Sequence, residues 1–197
     1  MFIKKKHTTN KNIFLLIAFF SFLFLLASCN KDNEKDLSKE APYDFSKEEP
    51  FIIVTYSIAG PDTLINYYPT IVSMDVEGNV TLSSKSYSDI EIAEDAPKVK
   101  TKVSKSEVEH VQEMIESYKF WQQEDNISDN NSVDGDFTKI TVNLDSESKT
   151  VGGLNPDDEA FHELAEHILY DYIDNDDFQA WKSEIKQYIL DRNPDIQ

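Results

Sequence analysis

The chain has 197 residues, with 37 Asp and Glu against 19 Lys and Arg and a formal charge of −18. A field of that sign repels polyanions, which excludes nucleic acid as a partner and opposes adsorption of the polypeptide itself to an anionic leaflet. Cationic partners stay compatible, and a single cysteine excludes an internal disulfide.

Lys4, Lys5, Lys6 and Lys11 form a positive start, and Ile13 to Ala27 is apolar apart from Ser21. These 15 residues fall short of the about 20 that a permanent helical span needs, so the segment reads as an export signal. Leu26-Ala27-Ser28-Cys29 follows, with polar Asn30 behind it. This arrangement resembles the lipobox of bacterial lipoproteins, a likeness confined to about the first 30 residues. It implies cleavage between Ser28 and Cys29 and a diacylglyceryl group on the Cys29 sulfur. The protein is then expected in the cell envelope, held by lipid at the extracytoplasmic face of a membrane. Two acyl chains meet the two-signal requirement of stable anchoring. Acylation also removes a lone thiol that is a liability on an exported protein.

Without residues 1–28, 169 residues remain, enough for one domain and a tether. Four of the 19 basic residues and none of the 37 acids lie in that leader, so the remainder carries 15 against 37, a charge of −22. Residues 29–50 read as a lipidated linker, too polar to offset the entropy of ordering, with a reach on the order of 25 Å. Tyr43 and Phe45 are candidates for a short arm docked on the domain, which is expected over residues 51–197.

Ile52, Val54, Tyr56 and Ile58 alternate with Ile53, Thr55 and Ser57, the period of a strand, and Gly60-Pro61-Asp62 ends it. Thr70–Asp75 and Val80–Ser84 predict a hairpin around Glu77-Gly78-Asn79, with Gly78 at positive φ. Residues 85–97 carry no clear period, and Val99–Val103 suggests another strand. Ser104 and Glu107 form a capping box before Val108, Val111, Met114, Ile115 and Tyr118, one helical stripe. Phe120 and Trp121 read as core. Residues 122–135 form a polar loop. Ile140, Val142 and Leu144 then alternate in a strand that returns, after a turn over Asp145–Ser148, along Lys149–Gly152.

Asn155 as N-cap, Pro156 at the first position and Asp157 and Asp158 in the first turn predict a second helix, buried through Phe161, Leu164, Ile168 and Tyr172. A break at Asp174–Asp177 leads to a third helix with Phe178, Trp181, Ile185, Tyr188 and Ile189 on one side, ended by Pro194. The expectation is a single α+β domain, an antiparallel sheet of about five or six short strands covered by about three helices. This element order resembles small lipoprotein domains of unknown function, a likeness that brings no chemistry with it.

His162-Glu163-Leu164-Ala165-Glu166-His167 departs from the zinc-protease helix. Its histidines are five apart, about 140° around a helix, so they do not share a face. The expected pairings are His162 with Glu166 and Glu163 with His167, with His167 turned toward solvent. Asn130-x-Ser132-x-Asp134-Gly135 has the front half of a calcium loop, but Thr141 stands where a bidentate Glu is required. Asp129, Asp134 and Asp136 are therefore only weak candidates for a divalent ion. Asp174, Asp176 and Asp177 read as a helix start, and His110 as solvated. Tyr67 and Tyr68 follow a Pro-Asp turn, with core or edge packing the expected use. No phosphate loop, nucleophile elbow or cofactor motif is present.

The expectation is a non-enzymatic binding module without a cofactor, its partner a cationic protein, peptide or envelope component. The alternatives are an envelope hydrolase with a dispersed site or a weak divalent-cation binder. A concave pocket joining His110, His162 or His167 to carboxylates would favour the hydrolase.

Overall fold

A computed structural model describes residues 43–59, 68–85, 92–129 and 134–193. Ser28, Cys29, Gly60–Tyr67, Asn130–Val133 and Pro194 lie outside these described residues. The alternation from Ile52 onward becomes β1 (Ile52–Ala59), the central strand of an antiparallel sheet. Its companions are β2 (Thr70–Met74), β3 (Asn79–Ser83), β4 (Val99–Lys102), β5 (Gly135–Asn143) and β6 (Ser148–Leu154), in the order β4-β3-β2-β1-β5-β6. Three helices, α1 (Lys105–Ser117), α2 (Glu159–Tyr170) and α3 (Asn175–Arg192), complete the single α+β domain. None of them is long and apolar enough to cross a membrane.

Strand register sorts the sheet into rows. On the helix-covered side the first row is Met74-Ile52-Val142 and the second is Val72-Val54-Ile140. All six are fully buried against Val111, Ile115, Phe161, Leu164, Ile168 and Ile185. Each large side chain so buried contributes about 1.5–3 kcal/mol. The opposite side carries Ile53, Thr55, Ser73, Thr81, Lys100, Lys139 and Thr141, and no acid occupies an outward strand position among the described residues. Negative charge is thus concentrated on the helices and turns.

Local signals hold in several places. Ser104 and Glu107 close the capping box, with the Ser104 N–H donating to Glu107 Oε2 at 2.6 Å. Gly78 has φ 83°, and Asp75 Oδ1 accepts the Glu77 and Asn79 N–H groups, both at 2.9 Å. Phe45 docks against Leu144 and is buried. The folded unit accordingly starts at Tyr43 and takes in the last part of the expected linker.

Other boundaries move. Asn155 is not the N-cap of α2. It sits at φ 43°, accepting the Asp136 N–H and donating to the Asp134 carbonyl, both at 2.8 Å. It therefore ties the start of β5 to the end of β6, and Asp158 caps α2 through the Phe161 N–H at 2.9 Å. Asn155, Asp157 and Asp158 satisfy the local preference equally, so the long-range partner decides. Asp174, placed in the expected break, caps α3 directly. Strand β6 runs past the expected stop at Gly152 to Leu154.

Candidate functional site

Beyond the two apolar rows the covered side of the sheet turns polar. The third row is Thr70-Tyr56-Thr138, and in the fourth Ile58 stands opposite Asp136. Thr70 and Thr138 are buried, whereas Ile58 is 39% exposed. The last turns of α2 face these rows. Ala165 and Leu169 pack inward, and His162, Glu166 and Tyr170 form an i, i+4, i+8 stripe along the rim. Tyr56, Asp136, Thr138, His162, Glu166 and Tyr170 line a half-open cavity of about 330 Å³.

Its electrostatics register on the two tyrosines. Burial, then a hydrogen bond to the Asp136 carboxylate and its charge, push the Tyr56 phenol well above the ordinary range. Burial also raises Tyr170, and the charges of Glu166 and Asp136 raise it further. Asp136 therefore projects negative potential onto both rings, and Glu166 adds to it at Tyr170. That potential, beside two aromatic faces, suits an ammonium or guanidinium group.

His162 does not pair with Glu166. Its Nε2 meets the Pro156 carbonyl at 2.5 Å, and because a carbonyl only accepts, this nitrogen donates; in the neutral ring Nδ1 then holds the lone pair. The expected Glu163–His167 pair is also replaced. His167 Nδ1 meets Asp171 at 2.5 Å and its Nε2 meets the Tyr172 hydroxyl at 2.7 Å. Nor does His167 point to solvent, because α2 packs against α1 on that side and brings His110 edge-on at 5.4 Å. Burial and the charges of Glu107 and Asp171 push Tyr172 up to about 12. His110 is exposed, as expected, and lines a separate hollow of about 280 Å³ with Glu113 and Glu163.

Asp134 and Asp136 belong to the Asn155 clamp through their backbones, while the Asp129 N–H donates to the Leu154 carbonyl at 2.9 Å. Among the described residues no three His, Cys, Asp or Glu side chains form a group able to hold a metal ion. Tyr68 lies in the core against Trp181. Tyr56 and Tyr170 were not singled out from the sequence as binding residues. The available signal was a run of non-apolar residues at covered positions, namely Tyr56, Thr70, Asp136 and Thr138.

The fold and this cavity define an α+β domain with an acidic, aromatic cleft where its sheet outruns its helices. Compared with known proteins, the chain matches no family model and no curated protein significantly.

Proposed function

We propose that this protein is a lipid-anchored, non-enzymatic module of the cell envelope that captures a cationic group, presented by a peptide or protein, in the cleft between β1, β5 and α2. The anchor rests on the lipobox ending at Cys29. The observation that carries the binding role is one cavity lined by Asp136, Glu166 and the rings of Tyr56 and Tyr170, with Asp136 acting on both rings and Glu166 on Tyr170. Surplus negative charge on the helical side draws a cation toward this end of the molecule. The lipid on Cys29 holds the domain at the bilayer while its own charge keeps it off an anionic surface.

The test has two arms. Cys29→Ser should remove lipid label and detergent-phase partitioning, and normal processing of that variant would end the anchoring part. A lysine-containing peptide should bind the mature protein with an affinity that falls as salt rises, while the norleucine counterpart should not bind. Equal binding of the two peptides would end the cation-binding part.

One observation favours a second reading, an envelope hydrolase. The cavity joins His162, with its free Nδ1, to Asp136 and Glu166. Turnover of ester or peptide substrates that is lost in His162→Ala would establish it.

A further inference from the structure

The acidic cleft does not end at Tyr56. A second hollow of about 230 Å³ shares Tyr56 with it and is also lined by Ile58, Tyr68, Thr70, Lys182 and Lys186. Tyr56 separates the two because its register neighbours are Thr138 on the acidic side and Thr70 on the other. Lys182 and Lys186 lie four apart on α3, both exposed, and neither forms an ion pair among the described residues.

Aromatic contacts run from one hollow to the other. The Tyr170 ring meets Phe178 at 6.0 Å, and Lys182 Nζ sits 4.7 Å above the Phe178 ring. The exposed large hydrophobic residues of the described chain are Ile58 and Tyr170, at 39% and 51%, and they line the basic and the acidic hollow respectively. The groove thus has a negative pole, an apolar waist and a positive pole. The strands bearing Thr138 and Thr70 flank β1, so the floors of the two hollows lie two strand spacings, about 10 Å, apart.

We propose that this groove recognises a peptide ending in lysine or arginine with a free C-terminal carboxylate, an inference that rests on the cation-binding reading above. The side-chain cation enters between Asp136, Glu166 and the two tyrosine rings. The methylenes cross the Tyr56 ring, and the terminal carboxylate meets Lys182 and Lys186. Two opposite charges on one short ligand match the two poles. A neutral C-terminus leaves the lysines without a partner, and an acidic side chain meets the wrong pole.

The experiment uses the mature lipidated protein in detergent and calorimetric titration with three acetylated tripeptides, Ala-Ala-Lys with a free carboxylate, its C-terminal amide, and Ala-Ala-norleucine with a free carboxylate. The free acid of the lysine peptide should bind at least about tenfold more tightly than the amide, a difference of about 1.4 kcal/mol. In Lys182→Gln/Lys186→Gln that preference should vanish, and unaltered melting would show that these exposed replacements leave the fold intact. Equal affinity of acid and amide for the parent protein would overturn the inference and leave the cation site standing. A preference that survives in the double variant would overturn it too, and failure of both lysine peptides to bind would remove the cation site itself.

Discussion

Asp136→Asn separates charge from shape at the cleft. The replacement is isosteric, and the bonds that fix this position run through its backbone, from its N–H to Asn155 Oδ1 at 2.8 Å and from the Asn155 N–H to its carbonyl at 2.7 Å. The fold should therefore survive and only the potential should change. A carboxylate about 4 Å from a bound ammonium is worth about 4 kcal/mol at an effective dielectric of about 20. Asp136 is exposed, so water screens most of this, and exposed pairs are worth up to about 1 kcal/mol. The tyrosine walls exclude part of that water, which brings the expected loss to about 1–1.5 kcal/mol, or about five- to tenfold in affinity. Calorimetric titration of the lysine peptide at low and at physiological ionic strength reads it, and the loss should shrink as salt is added. A second readout requires no ligand. Tyrosine ring carbons followed by NMR should show the Tyr56 phenol ionising at lower pH in the variant, because the charge of Asp136 is gone while burial and Tyr170 still raise it. Parent-like affinity together with parent-like Tyr56 titration would refute the electrostatic account of the cleft.

Three further outcomes test the scaffold. A Cβ at Gly152, where φ is 151°, would lie 2.2 Å from the Thr138 carbonyl oxygen and 2.7 Å from the Lys139 Cα. Both are backbone atoms, so Gly152→Ala should cost about 3 kcal/mol and lower the urea midpoint without changing its slope, and an unmoved midpoint would contradict this packing. Asp158 both caps α2 and accepts the Tyr118 hydroxyl at 3.1 Å. Asp158→Ala should therefore cost about 2 kcal/mol, more than Tyr118→Phe, and the double variant should lose less than the sum of the two; strictly additive losses would argue against a shared partner. Tyr172 ionises at about 12 in the fold against about 10 in the unfolded chain. Its raised value makes its stabilisation complete below about pH 10 and lost as pH climbs through the folded value. Thermal melts should fall over that window, less steeply in Tyr172→Phe, and identical profiles for the two proteins would count against this.

Much of the architecture follows from short-range pattern. The Ser104–Glu107 box, the turn at Gly78 and the stripes of Phe161, Leu164 and Ile168 and of Trp181, Ile185 and Ile189 are each written within a few consecutive residues. Periodicity, capping chemistry and backbone freedom act over one or two turns of chain, so such features are legible without a fold. The lipobox-like run Leu26-Ala27-Ser28-Cys29 is a local pattern in the same sense. Tertiary structure decided the remainder. Asn155 was drawn from helix cap to strand clamp by Asp134 and Asp136. His162 and His167 took partners at Pro156, Asp171 and Tyr172, and not the neighbours expected on the helix surface. The cleft itself depends on register, which sets Asp136 beside Ile58 and Thr138 beside Tyr56 across about 80 residues of intervening chain. A one-residue slip of β5 would turn Asp136 and Thr138 to the open side of the sheet, and no local signal encodes that pairing.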